Sequence, residues 1–192
     1  MVGMAELFQQ NLPEKSPLPS WVRGWSDALP FAPQSFDAAI CKGAIDHFDQ
    51  PADAIGEMAR VTRPDGRVVL AIANFESLSC RAARAGDDLR ENLLGRPAAR
   101  GRRHYDVPSD HFTRYELPLM REQARAHLVL EVVEGVSLGW GLPVWTRAVE
   151  RLPSGLAQAA LAGLGSLARA LPALADVLLL AGRPRRAATT SA

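Results

Sequence analysis

The chain has 192 residues, of which 47% are hydrophobic and 22% charged, and its net charge at pH 7 is +1. This length and apolar content are typical of one domain with its own core. The balanced charge provides no electrostatic basis for nonspecific nucleic-acid binding, so we expect no nucleic-acid partner. The two cysteines, Cys41 and Cys80, form no CxxC pair and fit free thiols in a reducing, cytoplasmic environment.

The ends of the sequence indicate neither a signal peptide nor a membrane span. Residues 1–15 lack a basic region followed by a long apolar run. The apolar stretch 156–181 contains a proline and two charges, so it predicts buried elements rather than a spanning helix. Peripheral membrane association through residues 153–171 is an alternative, although that segment carries few cations.

The clearest pattern lies in the central block. Residues 36–41 form a nearly continuous apolar run, which is typical of a strand buried on both faces of a parallel sheet. Residues 50–62 carry an apolar stripe at helical spacing, with Asp49 as the predicted N-cap. Pro64-Asp65-Gly66 predicts a turn, and residues 67–73 predict the next buried strand. The pattern predicts a right-handed parallel crossover unit.

Further elements are predicted along the rest of the chain. Helices are expected at 76–95, 114–127, 144–152 and 154–170, and strands at 128–133 and 176–182. Residues 1–182 are therefore predicted to form the domain, and residues 183–192 a disordered basic tail.

Several short motifs occur in order between Trp21 and Asn74. They are Asp27-Ala28-Leu29-Pro30-Phe31, Ser35-Phe36-Asp37-Ala38, Ala44-Ile45-Asp46-His47-Phe48, Glu57-Met58-Ala59-Arg60-Val61 and Arg63-Pro64-Asp65-Gly66-Arg67. This segment resembles the middle of the class I S-adenosylmethionine (SAM)-dependent methyltransferases of the type 11 kind, which act on small molecules. The resemblance implies an α/β fold, a Rossmann-like sheet with an antiparallel final strand, SAM as cofactor and a small-molecule substrate.

The chain departs from this family at its start. The family begins with a strand and a Gly-x-Gly-x-Gly loop, which lets the backbone approach SAM closely. That loop does not occur in this sequence, so we expect an N-terminally truncated form that binds SAM weakly or not at all. Either the chain is a fragment of a longer gene product, or the fold has closed over the gap. The family's ribose-binding acid aligns with Ala5, next to Glu6, and its adenine-binding aspartate is replaced within Gly24-Trp25-Ser26.

The resemblance assigns candidate site residues. Those expected at the cofactor are Glu6, Trp25, Ser26, Asp27, Ala28, Cys41, Lys42 and Gly43. The last three follow a predicted strand, and open α/β sheets bind ligands at the carboxyl ends of strands. His47 lies on the same loop and is the expected catalytic residue, as a general base or as a group that orients the substrate. Packing at the start of the next helix is the alternative. No metal is expected.

Two further segments are candidates for the substrate side of the site. The irregular interval 96–112 includes His104-Tyr105-Asp106 and Asp110-His111, whose spacing matches no metal motif. It is expected to form a lid over the pocket, with a polar surface loop as the alternative. Trp140, Leu142 and Trp145 are expected either to line a hydrophobic pocket or to pack in the core.

The sequence therefore predicts a SAM-dependent methyltransferase that acts on an unidentified small molecule. Such enzymes mainly position and desolvate the two reactants, so a strong general base is optional. The alternative is an inactive protein of the same fold that serves as a binding or partner subunit. The missing glycine loop, Ala5 and Trp25 motivate that alternative.

Overall fold

The computed structural model describes residues 19–95, 103, 105–139 and 142–185. The strands are β1 (Phe36–Lys42), β2 (Thr62–Ala73), β3 (Leu128–Val136) and β4 (Val177–Pro184). The α-helices are α1 (Pro51–Val61), α2 (Leu78–Leu94), α3 (Leu117–His127), α4 (Pro143–Glu150) and α5 (Ser154–Ala170). Short 3₁₀ helices span Ile45–His47 and Pro172–Leu174.

The strands form one mixed sheet in the order β1-β2-β4-β3. β1 pairs in parallel with β2, and α1 connects them, which confirms the predicted parallel strands and the helix between them. β4 pairs antiparallel with both β2 and β3, which confirms the predicted antiparallel final strand. Because β1 and β2 run in the same direction, the loops after Lys42 and Ala73 leave the same edge of the sheet.

The turn predicted at Pro64-Asp65-Gly66 is wrong: the three residues belong to β2, where they form an irregularity in the parallel ladder. Phe36 pairs with Thr62 and Ala38 pairs with Arg67, so the register shifts between them. A Cβ on Gly66 would lie 2.5 Å from the carbonyl oxygen of Asp37 and 2.7 Å from Cγ2 of Thr62. Only glycine fits that contact without displacing backbone. The glycine therefore allows the chain to pass from α1 directly into β2.

The main core lies between the sheet and two helices. In β2 the buried residues alternate with partly buried ones, as expected for a strand with one well-covered face. The cluster contains Val68, Leu70 and Ile72 of β2, Leu178 and Leu180 of β4, Ile55 and Met58 of α1, and Met120 and Ala124 of α3. A smaller cluster, Leu138, Ala168 and Ala175, joins α5 to the end of β3. Burial of these faces holds β1 and β2 in place beside α1.

The prediction that β1 is buried on both faces is wrong. Cys41 is the one residue of β1 that is buried, and Ile40 is 71% exposed. Among the described residues β1 pairs with β2 alone, so it forms the edge of this sheet. An apolar run predicts burial only when other elements cover the strand, and pairing decides that coverage.

Two predicted boundaries also differ from the structure. Asp49 is not the N-cap of α1: that position is Gln50, which makes no side-chain capping bond. β4 extends to Pro184, two residues into the predicted tail, because β3 provides pairing partners for Arg183 and Pro184. Residues 186–192 of the predicted tail lie outside the described residues. Across the described ranges, no helix combines the length and hydropathy needed to cross a bilayer.

Candidate functional site

At the carboxyl end of β1, a glycine allows the chain to turn tightly. Gly43 follows the strand with φ +59°, a left-handed conformation that side-chain-bearing residues rarely adopt. Its N–H donates to the carbonyl of Ala71 at 2.8 Å, which extends the parallel pairing by one residue. Among the described residues, no heavy atom lies within 4 Å of a Cβ built on Gly43, so none of them crowds this position.

A charged pair on α1 positions the segment that precedes β1. Arg60 donates to both carboxylate oxygens of Glu57 at 2.6 and 2.8 Å. Arg60 also donates to the carbonyls of Leu29 and Phe31, and the N–H of Leu29 donates to Glu57. The Arg60 hydrogen bond holds the pKa of Glu57 below its ordinary value. Two of the motifs found in the sequence, Leu29-Pro30-Phe31 and Glu57-Met58-Ala59-Arg60, are therefore joined by hydrogen bonds.

An open, mainly apolar cleft of about 490 Å³ lies between this segment, β1 and α1. Its lining residues are Ser26, Leu29, Phe31, Phe36, Ala38, Ala39, Ile40, Cys41, Lys42, Ala44, Phe48, Ala54, Met58 and Val61. Residues from both faces of β1 take part, so the cleft follows the edge of the strand. Among the residues predicted at the cofactor, Ser26, Cys41 and Lys42 line it.

Other residues predicted at the cofactor do not line this cleft. Trp25 and Ala28 close a tight turn through a 3.3 Å backbone hydrogen bond, and Trp25 is 78% exposed. Asp27 and Ala28 are also exposed in this turn, and Gly43 lies between the lining residues Lys42 and Ala44 without lining the cleft itself. Glu6 lies outside the described residues. The turn thus brings Ser26 to the cleft while its neighbours face solvent.

Two histidines and a buried aspartate meet beside the end of β1. Asp46 is 3% exposed, and its Oδ2 lies 2.9 Å from Nδ1 of His111. The Nδ1 of His47 lies 2.9 Å from the carbonyl oxygen of Asp110, and its Nε2 lies 3.9 Å from Oδ1 of Asp46. The rings of His47 and His111 are 4.1 Å apart and nearly perpendicular. We call Asp46, His47 and His111 the Asp-His-His cluster.

Backbone hydrogen bonds hold this cluster together. The N–H groups of Phe112 and Thr113 both donate to the carbonyl of Asp46, at 2.8 and 3.2 Å. They join the 3₁₀ helix after β1 to the segment before α3. Because the partners are distant in sequence, the cluster exists only in the folded chain.

The predicted group in the 96–112 interval separates into two parts. Asp110 and His111 lie against His47, at the end of β1. Tyr105 instead donates to Asp87 on α2 at 2.7 Å and accepts from Arg103 at 2.6 Å. His104 lies outside the described residues. Only the second half of this interval therefore reaches the site among the residues described.

Two ionisable groups beside Asp46 are held in their neutral forms. Burial raises the pKa of the Cys41 thiol, and the charge of Asp46 raises it further. Burial and Asp46 also raise the pKa of Tyr115, whose hydroxyl donates to Gln123 at 2.7 Å. A thiol with a raised pKa is a poor nucleophile, so Cys41 shapes the site rather than attacking a substrate.

Asn74 takes a structural position at the end of β2. The Asn74 amide donates to the carbonyls of Ala173 and Ala175 at 3.0 and 2.9 Å, so it ties the end of β2 to the start of β4. The N-cap of α2 is Ser77, whose side chain accepts from the N–H of Cys80. Leu142 and Trp145 do not line the cleft, and Trp140 lies outside the described residues.

Asp46 is the residue that sequence reasoning missed as a member of the site. The available signal was its position directly before His47 in the loop after a strand. Its burial depends on the distant Asp110–Thr113 segment, and no local pattern indicates that contact.

The N-terminal third of the chain matches a known family of domains. Residues 2–70 match the family model described as "Methyltransferase domain". Over 70 residues the chain is 34% identical to the demethylmenaquinone methyltransferase of Renibacterium salmoninarum, covering 36% of this chain and 28% of that protein. Over 48 residues it is 42% identical to YcgJ, an uncharacterized methyltransferase of Bacillus subtilis, covering 25% and 19% respectively. The aligned region thus spans about a quarter of the curated relatives' length.

Solved structures resemble the chain over most of its length. A SAM-dependent methyltransferase from Thermotoga maritima has a TM-score of 0.55 at 15% identity, covering 96% of this chain and 70% of that one. The Bacillus subtilis YcgJ structure has a TM-score of 0.52 at 18% identity, covering 98% and 79%. At these identities the similarity shows the shared fold.

Proposed function

We propose that this chain is part of a class I SAM-dependent methyltransferase and that it forms the region where a methyl group passes from SAM to a small molecule. The observation that carries the proposal is the position of Cys41-Lys42-Gly43. These residues end a parallel strand inside the segment that matches the family model. Ligands of open α/β sheets bind outside such strand ends.

The residues at this edge suit the cofactor in two ways. Gly43 presents backbone without a side chain, so a ligand can approach it closely. Ser26, Lys42 and Cys41 line the adjoining apolar cleft, whose walls can bury an adenosine or methionine portion. The Glu57–Arg60 pair fixes the wall that contains Leu29 and Phe31.

The reaction is an in-line displacement in which a substrate oxygen, nitrogen or carbon attacks the methyl group of the sulfonium. The new bond forms to that atom, and the sulfur keeps the electron pair of the broken bond. The enzyme mainly contributes alignment and removal of water. We propose that His47 either removes a proton from the substrate atom that receives the methyl group or orients the substrate. The 2.9 Å contact to the Asp110 carbonyl fixes its ring, and 38% of its side chain is exposed to a ligand.

An inactive binding subunit is the competing function. The positions of Trp25 and Asp27 favour it, because both face solvent in the turn rather than the cleft. Such a protein has no need of acid–base chemistry at His47. Such a protein could bind SAM but would not transfer its methyl group.

The deciding experiment is methyl transfer from labelled SAM by the protein expressed from its full reading frame. Acceptors are offered as a small-molecule panel that includes demethylmenaquinone, because one partial relative carries that name. We expect S-adenosylhomocysteine to form in proportion to a methylated acceptor. SAM binding without turnover on any acceptor would favour the binding subunit, and absence of both would contradict the proposal.

A further inference from the structure

The Asp-His-His cluster contains an unusual unsatisfied carboxylate. Asp46 is 3% exposed, yet its Oδ1 has no hydrogen-bond partner among the described residues. The Nδ1 of His111 is also buried without a hydrogen bond of acceptable geometry, although it lies 2.9 Å from Oδ2. Buried polar atoms normally have partners, because leaving them unpaired costs free energy. Two such atoms side by side indicate a shared partner that is positively charged.

The neighbouring histidine has the arrangement of a metal ligand. The contact between Nδ1 of His47 and the Asp110 carbonyl requires a proton on Nδ1. The Nε2 atom then carries a lone pair, and it faces the unpaired Oδ1 of Asp46 at 3.9 Å. Histidines that bind metals commonly donate their second ring N–H to a carbonyl or carboxylate in this way.

We propose that Asp46, His47 and His111 bind one divalent transition-metal ion of the Zn²⁺ class. One donor atom from each residue lies within 4.8 Å of the others. Tetrahedral zinc with ligands at about 2.0–2.2 Å separates its donor atoms by about 3.3–3.6 Å. The 2.9 Å contact of His111 is to Oδ2 of Asp46 and the 3.9 Å contact of His47 is to Oδ1, so small rotations of the carboxylate and the rings are needed to bring one donor atom of each residue to that spacing.

The type and exposure of the ligands define the site further. Two imidazoles and one carboxylate suit zinc and its neighbours in the first transition row, whereas magnesium and calcium prefer oxygen ligands alone. Asp46 and His111 are largely enclosed, whereas the side chain of His47 is 38% exposed. The ion therefore enters from the His47 side, and its remaining coordination position faces solvent. This geometry does not depend on methyl transfer.

Metal binding changes what His47 can do in the proposed reaction. An ion on Nε2 uses the lone pair that a general base needs. Free His47 can accept a proton, whereas metal-bound His47 holds the ion in place. The two roles exclude each other in a single molecule, so the metal content of the protein matters for any turnover assay.

The test is calorimetric titration of the chelator-treated protein with ZnSO₄ at neutral pH. We expect saturable binding of one ion, and a loss of at least about tenfold in affinity in Asp46→Asn and in His111→Gln. Two variants are used because Asp46→Asn removes a buried charge and can unfold the chain, whereas His111→Gln retains a polar side chain. Circular dichroism confirms that each variant is folded.

Matched controls separate the cluster from adventitious zinc binding. His127→Gln changes a histidine at the end of α3, and Cys80→Ser removes a thiol outside the cluster. Both should bind zinc like the unmodified protein. Visible absorption of the Co²⁺-substituted protein gives a second readout, with tetrahedral bands that disappear in His111→Gln. No stoichiometric binding, or equal affinity in the cluster variants and the controls, would overturn the proposal.

Discussion

Oδ2 of Asp46 and Nδ1 of His111 lie 2.9 Å apart, and this contact joins the loop after β1 to the segment before α3. The backbone reinforces it, since the N–H groups of Phe112 and Thr113 donate to the carbonyl of Asp46. The second half of the irregular interval is thereby fastened to the edge where the cofactor is proposed to bind. The contact thus determines which groups can reach a substrate there.

Replacing His47 by alanine tests its proposed acid–base role. In an active full-length enzyme we expect His47→Ala to lower turnover by about 10²–10⁴-fold with little change in SAM affinity. The reason is that the ring lies beside the end of β1, where the acceptor is proposed to bind, and the carbonyl of Asp110 orients it. Turnover and thermal midpoint are measured together. Near-normal turnover with a lower midpoint would assign His47 to packing alone, and His127→Ala serves as the histidine control.

The Glu57–Arg60 pair predicts a loss of stability in acid. Because the pKa of Glu57 is lowered in the folded state, chiefly by the Arg60 hydrogen bond, its ionised form stabilises the fold. This contribution is complete above the unfolded pKa of about 4.3 and is lost as pH falls through the lower folded value. Glu57→Gln should therefore lower the midpoint of urea unfolding at neutral pH. Between about pH 5 and 3 the midpoint of this variant should also fall less steeply than that of the unmodified protein.

Asp88→Asn is the matched control for Glu57, since it removes an exposed carboxylate from the middle of helix α2, away from the helix ends. Urea unfolding across this pH range should show nearly the unmodified profile for the control. If both variants follow the same curve as the unmodified protein, the pair does not fasten the Leu29–Phe31 segment.

Two glycine-to-alanine changes should have opposite effects on stability. Gly66→Ala places a methyl group 2.5 Å from the Asp37 carbonyl oxygen, and overpacking of this kind costs about 1–3 kcal/mol. Gly163 lies exposed on α5 with no atom within 4 Å of an added Cβ, so Gly163→Ala should stabilise by about 0.5–1 kcal/mol. Thermal unfolding measures both. Equal midpoints for the two variants would contradict the tight junction between α1 and β2.

The fold was predictable where local pattern and element order agree. The apolar runs and the Pro64-Asp65-Gly66 sequence predicted β1, α1 and β2, and their parallel pairing is confirmed. The exposure of Ile40 was not predictable, because it depends on which strands pair with β1. Local composition shows that a strand is apolar but does not show what covers it.

The candidate site divides in the same way. His47 was predicted because it lies in a motif that resembles the family and in the loop after a predicted strand. Both features can be read from the neighbouring sequence. Asp46 was missed because its burial is created by backbone bonds from Phe112 and Thr113. Likewise, the solvent-facing position of Trp25 follows from its turn with Ala28, which composition does not determine.

Binding of S-adenosylhomocysteine to two matched glycine variants tests the central claim most directly. Gly43 and Gly95 have nearly the same left-handed φ, +59° and +57°, and neither would crowd a Cβ. Gly43→Val and Gly95→Val therefore introduce similar backbone strain, but only Gly43 lies at the proposed cofactor edge. Calorimetry on the protein expressed from its full reading frame should show saturable binding that Gly43→Val weakens by at least about tenfold, roughly 1.4 kcal/mol, and Gly95→Val leaves unchanged. Absence of saturable binding, or equal losses in the two variants, would contradict a cofactor site at the carboxyl end of β1.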